Sequence, residues 1–308
     1  MNPFEVSVII PIYNSAKYIS RSVYSCIGLT EVGEIICVDD GSTDDSYSIL
    51  CGLKEASSKI VLLQHPDKKN HGRSASRNLG IRNAKFDFVA FLDSDDEYTE
   101  CRFENEKKMF ENDNSIDGIY GIVETKFETP QSKTEFEKRF DSNIIKIDTE
   151  TQPELLYKKL LLGGHGFFQT NTLTVRKSIF TKTGLFDEQF VVMQDTHMWI
   201  RMAAKCKLVS NQNNKPIAFY HIHTTNSVIK CDDLRNKLQV ELGYSLFKWA
   251  LKQKEFPYDK KNDFFIGYKI GYPNESDFRT LVRFLWCNPR FLFHRYTLRK
   301  IVQIIKGK

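Results

Sequence analysis

The sequence predicts an α/β fold: a Rossmann-like, mostly parallel sheet flanked by helices, with a helical extension after it. Three observations predict this. Four short apolar runs in the first hundred residues are separated by segments with apolar positions at helical spacing, the alternation that builds a doubly wound sheet. Three of those runs end in a proline or in aspartates, where a buried strand leaves the sheet. Beyond residue 228 the pattern changes to long helical stretches rich in Lys, Arg and aromatic residues. We expect one domain over 1–228 and a basic, amphipathic helical extension over 229–308.

In chain order, Val-Ser-Val-Ile-Ile-Pro (6–11) is a buried strand stopped by a proline, which cannot donate to a ladder. Asn14 and Ser15 are good cap residues for a segment with Tyr18 or Ile19, Val23, and Cys26 or Ile27 at helical spacing. A second strand over 34–38 runs into Asp-Asp-Gly-Ser-Thr-Asp (39–44), and Ser42-x-x-Asp45 resembles a capping box for the next helix. Strand three lies at 60–63, helix three at 73–84 behind His71-Gly72, and strand four at 86–92. Residues 117–123 read as one further strand and 124–148 as a polar excursion over the surface. Pro153 suits the first turn of a helix through Leu155, Leu156, Leu160 and Leu161, which Gly-Gly-His-Gly (163–166) breaks. Residues 171–175 are strand-like. Asp195 opens a helix with Met198 and Met202, where taken alone it reads as a simple cap.

The chemistry concentrates at Phe-Val-Ala-Phe-Leu-Asp-Ser-Asp-Asp (88–96). Asp-x-Asp sets Asp93 and Asp95 on one side of an extended chain. Hard oxygens grouped this way suit Mg²⁺ or Mn²⁺ shared with a substrate's phosphates; an isolated Asp-Ser-Asp reads sooner as an acidic loop capping the next helix. In open parallel sheets, ligands bind outside the carboxyl ends of the strands. Pro11, Asp39, Asp40, Asp93 and Asp95 all fall at such ends, so the architecture brings them to one rim and favours a site. There Asp39 or Asp40 would accept from a base N–H or a ribose hydroxyl. Arg77 would pair with base or diphosphate, unless it lies on a solvated helix face. The chain lacks Gly-x-Gly-x-x-Gly after strand one and lacks Gly-x-x-x-x-Gly-Lys-[Ser/Thr], which disfavours a dinucleotide site and a P-loop NTPase.

With Val-Ser-Val-Ile-Ile-Pro-Ile-Tyr-Asn (6–14), Val-Asp-Asp-Gly-Ser-Thr-Asp (38–44), Gly-Arg-Ser-Ala-Ser-Arg-Asn-Leu-Gly (72–80) and Phe-Leu-Asp-Ser-Asp-Asp (91–96), the sequence resembles the family 2 glycosyltransferases over residues 4 to about 225. The resemblance implies the GT-A fold and a nucleotide-sugar donor, with a UDP-sugar expected. It implies a metal-dependent, inverting transfer to a hydroxyl of a glycan or lipid-linked glycan, as in bacterial-type surface polysaccharide assembly. Pro11, Tyr13, Asp39, Asp40, Arg77, Asp93 and Ser94 would hold the donor nucleotide. Asp95, with Asp93, would hold Mn²⁺ or Mg²⁺, and His223 would complete the metal shell unless it is only polar surface. Gly-Leu-Phe-Asp-Glu (184–188) and Gln194-Asp195 resemble further family segments, and make Asp195 the base. Gln194 stands where the family carries Glu. Gln194 and His165 are the candidates for the acceptor side.

The bulk properties bound this reading. No apolar run approaches the ~20 residues that span a bilayer. The N-terminus lacks the basic and apolar regions of a signal peptide. The seven cysteines are scattered, without a Cys-x-x-Cys pair, which points away from zinc and disulfides and toward a cytoplasmic setting. The net charge is +5, yet residues 279–308 hold eight Lys and Arg and no acid; removing those eight leaves the rest at about −3. A basic tail with Trp286 and Phe291 suits an anionic membrane surface on the inner face, or a helical lid with a solvated basic face. Nucleic acid is not an expected partner, because the body is not basic. Two rivals are a sugar nucleotidyltransferase, which would carry a glycine-rich basic loop after strand one, and a catalytically silent donor-binding scaffold.

Overall fold

The computed structural model describes residues 4–138, 140–147, 151–163, 166–212, 215–223 and 232–270, with only the backbone at 232–240, 258 and 268–270. They fall into two compact units, one ending at Arg235 and the other beginning at Asn236. The first unit opens with β1 (Val6–Ile12), α1 (Ile19–Ile27), β2 (Val32–Asp39), α2 (Ser46–Ala56), β3 (Ile60–Gln64), α3 (Arg73–Asn83) and β4 (Phe88–Phe91). It continues through β5 (Glu97–Tyr98), α4 (Glu104–Asn112), β6 (Gly118–Tyr120), β7 (Val123–Phe127), α5 (Pro130–Glu137), β8 (Ile144–Ile145) and α6 (Pro153–Leu162). A 3-10 turn (Thr170–Thr172), β9 (Thr174–Arg176), α7 (Ile179–Thr183), α8 (Gln194–Lys205), β10 (Leu208–Ser210) and β11 (Ala218–Ile222) follow.

Seven strands form the main sheet in the order β10-β6-β9-β4-β1-β2-β3. β1, β2, β3 and β4 are mutually parallel, whereas β9 runs antiparallel to both β4 and β6. The expected mostly parallel α/β sheet is therefore present, with one reversed strand. The chain winds outward from β1 to β3, then returns to lay β4 on the other side of β1. β1 and β4 thus flank a topological switch point, where the connections leave in opposite directions and open a crevice.

β1 is buried along its whole length because strands pair with it on each side while α1 covers one face and α3 the other. The proline expected to end it does not: Pro11 lies within the strand, in register with Val38 of β2. β4 pairs with β1 only as far as Ile9–Phe91, so Pro11 sits past the end of that ladder. Burying Val8, Ile9 and Ile10 stabilises by roughly 1.5–3 kcal/mol each. That outweighs one missing donor, worth on the order of 1 kcal/mol.

Both expected helix caps are corrected. α1 starts at Ile19 behind Tyr18, with no side-chain cap, and α2 starts behind Asp45 without a capping box. Asn14 and Ser42 bond each other's loops instead. The single strand expected at 117–123 is two strands in different sheets, β6 in the main sheet and β7 in a second one of order β5-β11-β7-β8. The supposed polar excursion after it is also structured. β7, α5 and β8 bury Phe136, Ile145 and Ile147, apolar residues that a charge-rich average conceals.

α9 (Asp232–Lys252) begins four residues before the second unit and buries Leu242, Leu246, Phe247 and Ala250 within it. Trp249 meets Phe256 and, on α10 (Tyr258–Ile270), Phe264. No helix among the described residues is long and apolar enough to cross a membrane. The basic stretch 279–308 lies outside the described residues.

α3 packs against β1 at one close point: a Cβ on Gly80 would stand 2.5 Å from Ile9 Cγ2. We expect Gly80→Ala to lower stability by roughly 1–3 kcal/mol through overpacking, and to cost less in an Ile9→Ala background, where the γ carbons it would meet are gone. Urea unfolding checks both; an unchanged midpoint in the single variant removes the constraint. A second test concerns His197 of α8, whose imidazole burial and then the Arg201 charge push from 6.5 down to about 3. The folded chain holds it neutral while the unfolded chain protonates it, so its stabilisation is full above 6.5 and is lost as the pH falls toward 3. His197→Gln should shrink the stability loss between neutral pH and about pH 5 by on the order of 2 kcal/mol.

Candidate functional site

A cavity of about 700 Å³ opens beyond the carboxyl ends of β1 and β4. Its first wall is the loop after β1. Asn14 takes a left-handed backbone (φ 51°). Its side-chain oxygen accepts from Thr43 N–H at 2.8 Å, and its own N–H donates to the Ser42 hydroxyl at 3.1 Å. Ser15 N–H donates to the Ser46 hydroxyl at 2.8 Å. The residues that looked like helix caps therefore clamp the β1 and β2 loops together. Tyr13, 48% exposed, is left at the cavity rim.

Asp40 also works through the backbone. Its two oxygens accept from His71 N–H and Gly72 N–H, both at 2.8 Å, at the entrance to α3. Gly72 there has φ 88°, a conformation open to glycine. Asp39 stands behind Asp40, buried, accepting from Gln64 Nε2 at 2.9 Å. Asp40 lines the cavity and Asp39 does not.

The Asp-Ser-Asp-Asp turn sends its four side chains to four places. Asp93 Oδ1 accepts from Arg77 Nη2 at 2.6 Å. Arg77 is fully buried, with its guanidinium over the Phe186 ring, and so reaches the cavity only through Asp93. The Ser94 and Ser15 hydroxyls lie 2.7 Å apart. Asp95 Oδ2 lies 3.0 Å from His223 Nε2, and the imidazole stacks on Tyr18 with centroids 4.9 Å apart. Asp96 is fully buried. It accepts from Asn171 Nδ2 at 2.5 Å and from His221 N–H at 2.7 Å. Burial, then the neighbouring Asp95 and Asp93 carboxylates, raise the Asp96 carboxyl well above its ordinary range.

Asn171 was not foreseen from the sequence, yet it joins two of these groups. While its amide nitrogen serves Asp96, its oxygen accepts from Asp93 N–H at 2.9 Å. Arg73 was also missed. It is exposed and lines the cavity one helical turn before Arg77; the i, i+4 spacing of the two arginines was the available signal.

The donor set of a divalent cation can be weighed on these groups. No cluster of three or more His, Cys, Asp or Glu among the described residues is arranged to hold a metal unaided. Asp93 already has a cationic partner in Arg77. Asp95 and His223 offer an oxygen and a nitrogen side by side at the cavity wall. Mg²⁺ and Mn²⁺ commonly take one or two protein ligands and complete their shell with water and substrate phosphates, so this pair fits such an ion.

Asp195 and Gln194 lie in a neighbouring chamber, which shares Arg73, Asp93 and Tyr220 with the first cavity. Asp195 is not the cap of α8; that position is Met193, with φ 60°. One Asp195 oxygen accepts from Thr196 N–H at 2.6 Å. The other has no hydrogen bond among the described residues and is available to the chamber. The structure thus gathers Pro11, Tyr13, Asp40, Asp93, Ser94, Asp95 and His223 on one cavity, and Asp195 with Gln194 on the next. His165 lies outside the described residues.

Asn171→Leu keeps the volume but strips a partner from Asp96 and from Asp93 N–H. We expect it to destabilise by roughly 2–4 kcal/mol for the two buried groups. A urea midpoint that does not move would show that other bonds hold the turn.

Comparison with known proteins bears on the family and the fold. The profile of "Glycosyl transferase family 2" matches residues 7–182. An uncharacterized glycosyltransferase of Rickettsia conorii, RC0461, is 30% identical over 206 residues, covering 67% of this chain and 31% of that protein. The poly(ribitol-phosphate) beta-glucosyltransferase of Bacillus spizizenii is 27% identical, covering 92% of this chain and 45% of that protein. The chain thus spans about a third to a half of the length of these relatives. S. aureus TarS 1–349, solved with UDP-GlcNAc, superposes with a TM-score of 0.65 at 18% identity, covering 87% of this chain and 72% of that one. That likeness shows the shared GT-A fold. With the profile covering more than half of its residues, the chain belongs to glycosyl transferase family 2.

Proposed function

We propose that the chain transfers a sugar from a UDP-sugar to a hydroxyl of a glycan or lipid-linked glycan, with inversion at the anomeric carbon and with bound Mn²⁺ or Mg²⁺. The observation that carries this reading is the adjacency of the two cavities. One is lined by the Asp-Ser-Asp turn and His223, and the other by Asp195. Support for a uridine donor comes by likeness, since TarS is solved with UDP and with UDP-GlcNAc.

In this reading the Tyr13 ring and the loop fixed by Asp40 receive the nucleoside, and exposed Arg73 faces the diphosphate. Asp95 and His223 hold the cation, which when bound offsets the diphosphate charge. Arg77 fixes Asp93 at the junction of the two cavities. The Asp195 carboxylate takes the proton of an acceptor hydroxyl while that oxygen attacks the anomeric carbon. The bond from that carbon to the diphosphate oxygen breaks on the opposite face. The nucleoside diphosphate then leaves with the bonding pair, and Asp195 is left protonated. The basic stretch 279–308, outside the described residues, is our candidate for holding the chain at a membrane that carries a lipid-linked acceptor.

Thermal stabilisation by UDP, GDP, CMP and dTDP, each with Mn²⁺, Mg²⁺ or chelator, tests the donor side. UDP should raise the melting temperature, and chelator should remove most of the shift. No shift with any nucleotide overturns the reading. Asp95→Ala should lose the chelator-sensitive shift. Asp195→Asn should keep it while transfer falls by about 10²–10⁴-fold. Equal loss of nucleotide binding in the two variants would contradict the separate roles of Asp95 and Asp195.

A further inference from the structure

The two candidate ligands of the cation, Asp95 and His223, come from different elements, and the start of α1 touches both. Arg21 Nη2 donates to the Asp95 carbonyl oxygen at 2.7 Å. Tyr18, three residues earlier and so on the same side of the helix, lays its ring on the His223 imidazole. The centroids are 4.9 Å apart and the planes differ by 16°. The Tyr18 hydroxyl donates to Glu128 Oε2 at 3.4 Å. The N–H of Glu128 in turn donates to the Ile222 carbonyl at 3.0 Å, beside His223 in the chain. One residue therefore anchors both the tyrosine ring and the backbone that carries the histidine. Lys17 and Arg21 also stand near the Tyr18 ring, and Glu128 and Glu97 meet their charges.

The stack has a chemical consequence, because an imidazole lone pair lies in the plane of its ring. Fixing that plane fixes where a cation on Nε2 must lie. His223 Nε2 and Asp95 Oδ2 are 3.0 Å apart. Two ligands about 2.1 Å from one octahedral ion, at right angles to each other, also stand about 3.0 Å apart. We infer that Tyr18 is a positioning residue for the cation, its ring holding the His223 imidazole in the plane that lets Nε2 and Asp95 share one ion. The electron-rich face of Tyr18 also favours an imidazole that carries part of an ion's charge over a free one. The inference rests on the metal-dependent transferase reading and adds to it a residue outside the aspartate turn.

The test is Mn²⁺ binding to the full chain, read from the loss of the free-ion EPR signal, with and without UDP. Tyr18→Leu should weaken Mn²⁺ binding about tenfold, the combined effect of a lost ring pair and a lost cation–π contact. Tyr18→Phe keeps the ring and should stay within about twofold of the unaltered chain. In a His223→Ala background, Tyr18→Leu should change Mn²⁺ affinity by less than about twofold, because it acts through that imidazole. Equal losses in the two backgrounds would leave Tyr18 a merely structural role and overturn the inference. An unchanged Mn²⁺ affinity in Tyr18→Leu would overturn it too. UDP binding in chelator should be the same for Tyr18→Leu and the unaltered chain; a tenfold loss there would assign Tyr18 to the nucleotide instead. Tyr18 is only partly buried, so the truncation should fold. Tyr18→Gln, with a polar end for the exposed side, repeats the test if it does not. Absence of Mn²⁺ binding by the unaltered chain, with or without UDP, would reject the cation in the transferase reading itself and the inference with it.

Discussion

The site depends on one buried carboxyl, Asp96. A carboxyl taken wholly out of water needs its hydrogen bonds made. Asp96 meets that requirement with the Asn171 amide and the backbone N–H of His221. The Ser22 hydroxyl bonds to the Asp96 and Ser94 carbonyls from α1. One residue therefore ties together the end of β4, the turn before β9, the strand β11 and the first helix. With those anchors set, Asp93 and Asp95 can leave the turn in separate directions, one to Arg77 and the other to His223. His221 and His223 lie two residues apart. The bond that fixes the β11 backbone at Asp96 therefore also fixes where the His223 ring stands.

The same economy governs the arginines of α3. Arg77 is buried and paired, and its charge is committed to Asp93. Arg73, one turn earlier, is exposed at the mouth of both cavities. Arg77 reaches inward with one nitrogen bonded to Asp93 and its guanidinium over the Phe186 ring. The buried cation holds the turn in place, and the exposed one faces whatever anion the cavity receives.

Two cavities meeting at Asp93 and Tyr220 give the molecule a direction. The β1 and β4 loops supply the first, and α5, the 166–169 segment and α8 supply the second. Different parts of the chain build them. The first draws mainly on the regular βαβ half, with Glu188, Phe190, Tyr220 and His223 added from further along the chain, whereas the second draws mainly on the irregular second half with its small sheet. A family that keeps one donor chemistry and varies its acceptor would be expected to vary in that second half, because loops tolerate change more readily than a buried parallel sheet.

Much of the first half was legible because its signals are local. Apolar runs of strand length, punctuated by Asp, Gly and Pro, are read along the chain without knowing any long-range contact. The carboxyl-end location of Asp40, Asp93 and Asp95 followed from the alternation alone. The misreadings were also of one kind. Asn14, Ser42 and Pro11 have strong local meanings as caps and breakers, and tertiary bonds between the β1 and β2 loops overrode them. Residues 124–148 averaged to a polar stretch because their buried Phe and Ile positions are spaced among charges. By itself the sequence determined the alternating α/β pattern, the family and the chemical types that gather at the strand ends. The tertiary structure alone decided that Arg77 faces Asp93, that Asp95 meets His223 across 128 residues, and that Asn171 bridges Asp93 and Asp96. Those pairings join segments distant in sequence, and their geometry is set by sheet order and packing, which no local pattern encodes.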